Sequence, residues 1–190
     1  MADISNPSVK TPATAFSATS STARYSSQLR LLHWLMAGLV VLAYVFIEGR
    51  GWFPKGSALK TFFIQGHFWV GLLVLALVLP RLLARLGAQP PVVEPALKPA
   101  LSLLSKVTHY GLYAFLLVQP LMGLLVVLLE RGGIPLGSFT IASPFALDKH
   151  LAHSIEDIHV LVGTAFYYVI GLHIVAAFWH HFHVRDNVLK

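Results

Sequence analysis

Two histidines in the last apolar stretch of the chain have the spacing of metal ligands on one helix. His159 and His173 are fourteen residues apart within 158–184, a stretch that contains no charged residue. In an α-helix this spacing corresponds to about 21 Å along the axis and to nearly the same face. Two imidazoles so placed could each bind one haem iron at a different depth of a membrane. The chemistry expected from such a pair is one-electron transfer.

Helices that cross a membrane are needed to position these rings, and the sequence contains four candidates. The stretches without charged residues are 31–47, 61–80, 107–129 and 158–184. Each is near the ~20 residues that span the hydrocarbon of a bilayer. Because a spanning backbone must satisfy its own hydrogen bonds in lipid, helices are expected. The predicted fold is therefore all-α: an integral-membrane four-helix bundle with two b-type haems bound between helices.

Two further histidines match His159 and His173 in depth, where the inner side is the side of both chain termini. His33 follows Arg30 by three residues and so lies in the inner half of the first helix, whereas His67 lies in the outer half of the second. His159 is near the outer end of the fourth helix, and His173 is deeper. We therefore expect His67 and His159 to bind one iron. We expect His33 and His173 to bind the other, again with bis-imidazole ligation and no open coordination position.

Each of these histidines, taken alone, has a simpler interpretation. A single histidine near a helix end is commonly an interfacial residue. Two depth-matched pairs favour ligation instead, because an unpaired polar ring in hydrocarbon costs several kcal/mol. A structural zinc site is disfavoured because it needs four ligands at one point. The nearby glycines Gly66, Gly163 and Gly171 fit either a flat macrocycle or ordinary helix packing.

His180 lies seven residues after His173 and shares its helix face at the inner boundary of the membrane. It is interpreted either as an alternative haem ligand or as a catalytic residue that exchanges protons at a quinone site. Interfacial placement beside His181 and His183 is the third possibility. His109, near the inner end of the third helix, could contact a propionate or a quinone, or could likewise be interfacial.

The formal charge is unevenly distributed between the two sides of the predicted bundle. Nine of the fourteen Lys and Arg residues lie on the side of the termini. Because basic residues favour the cytoplasmic side, both termini are predicted to be cytoplasmic. The net charge of +6 belongs to this face, where membrane lipid is a sufficient partner and no nucleic acid is required. The absence of cysteine excludes covalently attached haem, thiolate-bound iron–sulfur clusters and disulfides.

The chain divides into a tail and one membrane domain. Residues 1–24 are rich in Ser, Thr and Ala, which predicts a disordered cytoplasmic tail. Residues 25–190 are predicted to form the transmembrane dihaem domain. Its helices are expected at roughly 29–47, 61–85, 103–129 and 155–184. A Pro-rich inner loop is expected at 87–99, a kink at Pro120 and a longer outer loop at 130–153.

Several short stretches resemble the bacterial cytochrome b561 family of four-helix dihaem membrane proteins. They are LLHW at 31–34, EGRGWFP at 48–54, IGLH at 170–173, HH at 180–181 and RDNVL at 185–189. The similar region covers about residues 25–190. Within the family, the chain is most similar to the superoxide:ubiquinone oxidoreductase (superoxide oxidase) branch.

The resemblance implies two haem b groups and a ubiquinone site. It places axial ligands at His33, His67, His159 and His173, in agreement with the pairing by depth, and the quinone near His180. In that branch, superoxide is oxidised to dioxygen at the periplasmic face of the bacterial inner membrane, and electrons pass through two haems to ubiquinone near the cytoplasmic face. The resemblance thus implies an enzyme of this kind, with no obligate protein partner.

Two other functions compete with this one. A b-type cytochrome subunit of a larger oxidoreductase, like those of hydrogenases or formate dehydrogenases, would receive electrons from a docked iron–sulfur protein. The short outer loops argue against that alternative. A haem-free transporter is disfavoured because no carboxylate lies in the middle of a predicted span.

Overall fold

Four long helices make up most of the structure, a computed structural model that describes residues 27–87, 98–136 and 139–184, without the side chains of 135 and 136. The helices are α1 (Ser27–Gly49), α2 (Ala58–Leu86), α3 (Pro99–Arg131) and α4 (Lys149–Trp179). A 3₁₀ turn, Arg50–Trp52, follows α1, and a π-helical turn, His180–Val184, follows α4. All four are long and apolar enough to cross a membrane, which confirms the predicted four-helix membrane fold. The predicted tail, most of the Pro-rich loop and the stretch 185–189 lie outside the described residues.

Most of the helices extend further than expected, because a charged residue marks the edge of the hydrocarbon and not the end of the helix. α2 begins after Ser57, whose side-chain oxygen accepts a hydrogen bond from the Lys60 N–H at 3.2 Å. α4 begins after Asp148, whose carboxylate accepts from the Leu151 N–H at 2.9 Å. Both are N-caps that satisfy a free backbone donor. α3 ends at Gly132, which adopts the left-handed conformation with φ +71°.

A β-hairpin occupies the outer connection between α3 and α4, where the sequence predicts only a loop. Strand β1 (Gly133–Leu136) pairs antiparallel with β2 (Phe139–Ala142). The Ser143 N–H donates to the Gly132 carbonyl at 2.8 Å and closes the pair. Both strands are very short, and β1 contains glycine and proline, residues that are depleted in strands, so the sequence pattern does not reveal the hairpin.

The helices pack in sequence order, and this leaves α4 apart from α1 and α2. Met36, Val74 and Val78 are buried between α1 and α2, and Leu116 of α3 packs against them. α3 also packs along α4. Within the described ranges, no Cα atom of α4 comes within 8 Å of one in α1 or α2. A cleft therefore separates α4 from the α1–α2 pair, and side chains from both walls meet across it.

Candidate functional site

The outer pair consists of His67 from α2 and His159 from α4, which face each other across the cleft. Their ring centroids are 6.1 Å apart and the ring planes are at 89°. The Nδ1 atom of His67 is 2.9 Å from the Ala43 carbonyl oxygen, and that of His159 is 3.1 Å from the Gln119 carbonyl oxygen. Because a carbonyl only accepts, each Nδ1 carries the ring hydrogen and donates it. Both Nε2 atoms are left with a free lone pair, as in metal-binding histidines.

Gln119 joins α3 to α4 beside this pair through two reciprocal hydrogen bonds. Its side-chain Nε2 donates to the His159 carbonyl at 2.9 Å, while its own carbonyl accepts from the His159 ring. α3 continues through the next residue, Pro120. Sequence reasoning missed Gln119, although it is the one amide side chain in the apolar stretch 107–129. An isolated amide in a predicted span is the signal that could have identified it.

The glycines near the histidines differ in what surrounds them. A Cβ added to Gly66 would lie 2.7 Å from the ring of Phe46 in α1. A Cβ added to Gly163 would lie 3.1 Å from the Gln119 amide nitrogen. At Gly171, an added Cβ would meet nothing within 4 Å. Close packing against a neighbouring side chain therefore explains the glycines at positions 66 and 163. It does not explain Gly171, which has open space beside it.

Tyrosines connect α1 to α4 across the cleft. The ring centroids of Tyr44 and Tyr167 are 4.3 Å apart. The Tyr44 hydroxyl donates to the Gly163 carbonyl, and the Tyr167 hydroxyl donates to the Glu48 carboxylate, both at 2.8 Å. These contacts hold α4 beside α1 where the backbones themselves are far apart.

The inner cluster contains histidines from three helices. The rings of His109 from α3 and His173 from α4 are 5.6 Å apart at 89°, and His33 from α1 interacts electrostatically with both. The His109 Nδ1 atom lies 2.6 Å from the Ser105 carbonyl oxygen. Because the ring contact at this depth joins His109 to His173, the pairing of His33 with His173 stays a prediction.

Arg81 of α2 adds a positive charge to the inner cluster. Its Nη2 atom lies 3.2 Å from His33 Nδ1, and its guanidinium carbon lies 5.6 Å from the centre of the Tyr113 ring. Since a guanidinium only donates, His33 Nδ1 accepts, and the neutral ring carries its hydrogen on Nε2. His33 is thus held in the tautomer opposite to that of His67 and His159. Sequence reasoning missed Arg81, whose signal is a basic residue directly after the apolar run that ends at Pro80.

His159, His173 and His180 lie along one half-buried face of the last helix and its terminal turn. His180 is the first residue of the π-helical turn. The two histidines that follow it in this turn, His181 and His183, are exposed. His180 is therefore placed at the inner end of the histidine face, and its role stays a prediction.

The outer pair fits a haem iron in geometry as well as in tautomer. A metal–imidazole bond of about 2 Å, with roughly 1 Å more to the ring centre, places two rings about 6 Å apart across one metal. The observed separation of the His67 and His159 centroids is 6.1 Å. In the part of the chain that the structure describes, no group of three or more His, Cys, Asp or Glu residues could hold a metal ion. Two imidazoles at one depth suit haem and do not suit structural zinc.

The fold and these facing histidines define a class of protein: a membrane-spanning helical bundle with imidazoles facing each other between helices, as in membrane-bound b-type cytochromes. Sequence comparison gives the same result, since the family described as prokaryotic cytochrome b561 matches residues 24–190. The "Probable superoxide oxidase CybB" of Yersinia pestis is 32% identical over 168 residues, covering 87% of this chain and 93% of the relative. The "Cytochrome b561 homolog 1" of Escherichia coli (strain K12) is 29% identical over 167 residues, covering 87% and 94%.

The chain therefore belongs to the prokaryotic cytochrome b561 family. It is a multi-pass membrane protein that carries electrons, and the family binds b-type haem.

Proposed function

We propose that this protein is a superoxide:ubiquinone oxidoreductase (superoxide oxidase) of the bacterial inner membrane, with two haem b groups and both termini in the cytoplasm. The observation that carries the proposal is the pair of imidazole clusters at two depths along one face of α4, each completed by histidines from other helices. Similarity to the Yersinia pestis relative named as a probable superoxide oxidase supports the choice of substrate.

His67 and His159 would hold the outer haem, and His33 and His173 the inner one. Bis-imidazole haem supplies one-electron transfer without an open coordination position. The carbonyls of Ala43 and Gln119 would keep the outer ligands in the required tautomer and fix the orientation of their rings.

The connection between α1 and α2 places positive charge next to the outer pair. It carries Arg50 and Lys55, and Lys60 follows in the first turn of α2. Arg50 interacts electrostatically with His67. The nearby carboxylate of Glu48 is engaged by the Tyr167 hydroxyl. Superoxide is a small anion, and local positive potential raises the rate at which anions reach a site. This local cluster would guide superoxide although the outer side as a whole has no net formal charge.

At the inner side, His180 is the residue proposed to deliver protons to the quinone. Two superoxide ions each lose one electron to give two dioxygen molecules, and one ubiquinone takes up those electrons with two protons to give ubiquinol. An imidazole can hold a proton and deliver it to a quinone oxygen. Its position at the inner end of the histidine face supports this role.

Rapid mixing of ubiquinone-loaded protein with superoxide tests the proposal. We expect the haem absorbance to change within the first turnover, and ubiquinol to form in a ratio of one for every two superoxide ions consumed. A His180→Asn variant should keep both haems and form ubiquinol more slowly.

Failure of superoxide to reduce the haems would contradict the proposed activity. Reduction only after addition of an iron–sulfur donor protein would instead favour an electron-transfer subunit of a larger oxidoreductase. Loss of a haem from the His180→Asn protein would show that His180 is a ligand and not the quinone-side proton donor.

A further inference from the structure

Arg81 is a half-buried cation for which the proposed electron transfer gives no role. Its Nη1 atom is buried and has no hydrogen-bond partner in the described part of the chain, while Nη2 lies on the His33 ring. The carboxylates of the described residues all lie near the outer ends of helices: Glu48, Glu130, Asp148, Glu156 and Asp157. Arg81 lies near the opposite end of α2, and none of these carboxylates forms an ion pair with it. Its charge therefore lacks a carboxylate partner among the residues described.

A cation within a membrane span normally pairs with an anion or faces a polar group. Each haem b carries two propionate groups, and the guanidinium fork of arginine binds carboxylate through two parallel N–H···O bonds. Arg81 offers both arms of such a fork: one nitrogen without a partner, and one shared with an uncharged ring. The inner histidines His33, His109 and His173 come from the three other helices, and His33 contacts Arg81 directly.

We propose that Arg81 is the counter-ion of a propionate of the inner haem, and that its guanidinium leaves His33 Nδ1 when that haem binds. The inference rests on the proposed function, because it requires haem at the inner site. A charge-assisted pair with a carboxylate is stronger than a hydrogen bond to a neutral ring, so the exchange is favourable.

The same exchange makes His33 competent to bind iron. While Arg81 donates to His33 Nδ1, the hydrogen of the His33 ring lies on Nε2, and this Nε2 cannot bind a metal. In His67 and His159 the hydrogen lies on Nδ1, so Nε2 is free to bind a metal. Departure of the guanidinium lets the hydrogen move from Nε2 to Nδ1, so that Nε2 gains a free lone pair. One change of contact would thus pair the charge of Arg81 with a carboxylate and leave His33 Nε2 free to bind iron. The outer ligands need no such change, since both already hold the required tautomer.

The rate at which the inner haem leaves the protein tests this proposal when it is measured with two forms of haem. One is haem b, and the other is its dimethyl ester, in which both propionates are uncharged. The variants are Arg81→Gln and the matched control Arg30→Gln. Arg30 is exposed on α1, three residues before His33, at the same side of the membrane. Transfer of haem from each loaded, purified protein to excess apomyoglobin is followed by visible absorbance.

We expect Arg81→Gln to release one of its two haem b groups roughly 10- to 100-fold faster than wild type, the factor for loss of a hydrogen bond between charged groups. With the dimethyl ester, Arg81→Gln should release haem no faster than wild type. Arg30→Gln should match wild type with both. If Arg81→Gln does not fold, Arg81→Lys should show a smaller difference of the same sign, because it keeps the charge without the fork.

Equal acceleration with haem b and with the ester would overturn the inference, since Arg81 would then act on the fold or on another ligand such as a quinone. An unchanged release rate with haem b would also overturn it. A wild-type protein that holds no inner haem would overturn the proposed function as well, so the two failures are distinguishable.

Discussion

The hydrogen bond at Nδ1 decides which ring nitrogen of each histidine keeps a free lone pair. His67 and His159 each donate from Nδ1 to a backbone carbonyl, whereas His33 accepts there from Arg81. The sequence predicts these three rings as ligands from their depth alone. It does not reveal their partners, because the carbonyls lie on neighbouring helices, 24 and 40 residues away in the chain. Histidine type and depth are local properties, but tautomer depends on tertiary contacts.

Replacing a single outer ligand should remove one haem and leave the other. For His159→Ala we expect the haem content to fall from about two to about one per chain, because one imidazole cannot hold the iron with bis-histidine ligation. The pyridine haemochrome assay measures this content. His150→Ala, in the exposed first turn of the same helix, should keep both haems. A His159→Ala protein that retains two bis-histidine haems would contradict the assignment of this residue.

At the level of helices, the apolar runs locate all four spans but not their ends. The ends depend on capping residues such as Ser57 and Asp148, which lie outside the charge-free stretches. The β1–β2 hairpin and the cleft beside α4 also escape prediction. The hairpin has too few residues for a periodic pattern, and the cleft results from which helices pack together. His109 enters the inner cluster through that packing, so its sequence position left its role open.

The close approach of α1 and α2 beside the outer pair predicts contrasting effects for two glycines of one helix. In Gly66→Ala, the new methyl would lie 2.7 Å from the Phe46 ring. We expect a loss of stability of about 1–3 kcal/mol from this overpacking. In Gly71→Ala, the methyl would meet nothing within 4 Å, so alanine should be neutral or stabilising by about 0.5–1 kcal/mol.

Thermal unfolding of the two variants in detergent, followed by haem absorbance, measures this difference. The unfolding temperature should fall below that of wild type for Gly66→Ala alone. Equal unfolding temperatures for both variants would mean that Gly66 is not needed for the contact between α1 and α2.

For the molecule as a whole, the distribution of charge predicts the orientation in the membrane. Because the chain contains no cysteine, a single introduced thiol can be labelled without background. Lys55→Cys, in the α1–α2 connection, should react with a membrane-impermeant maleimide on intact spheroplasts. Lys98→Cys, just before α3, should react only after the membrane is opened. The reverse labelling pattern would show that the termini face the periplasm, contrary to the charge bias.

The whole bundle also explains how imidazole clusters at two depths fit in so short a chain. α3 packs along both α2 and α4, and α2 packs along α1, so the cleft between α4 and the α1–α2 pair runs beside the histidine face of α4. The two imidazole clusters lie along this cleft, one near its outer end and one near its inner end. The sequence predicts the two depths from helix geometry, whereas the third imidazole and the guanidinium of the inner cluster emerge only from the packing.

Near-infrared magnetic circular dichroism of the oxidised, purified wild-type protein measures both the number of haems and the identity of their axial ligands. If the outer and inner histidines bind iron as proposed, the charge-transfer band of low-spin ferric haem with two imidazole ligands should have the intensity of about two haems per chain. A band for only one such haem, or a high-spin signal with an open coordination position, would contradict the two bis-histidine centres.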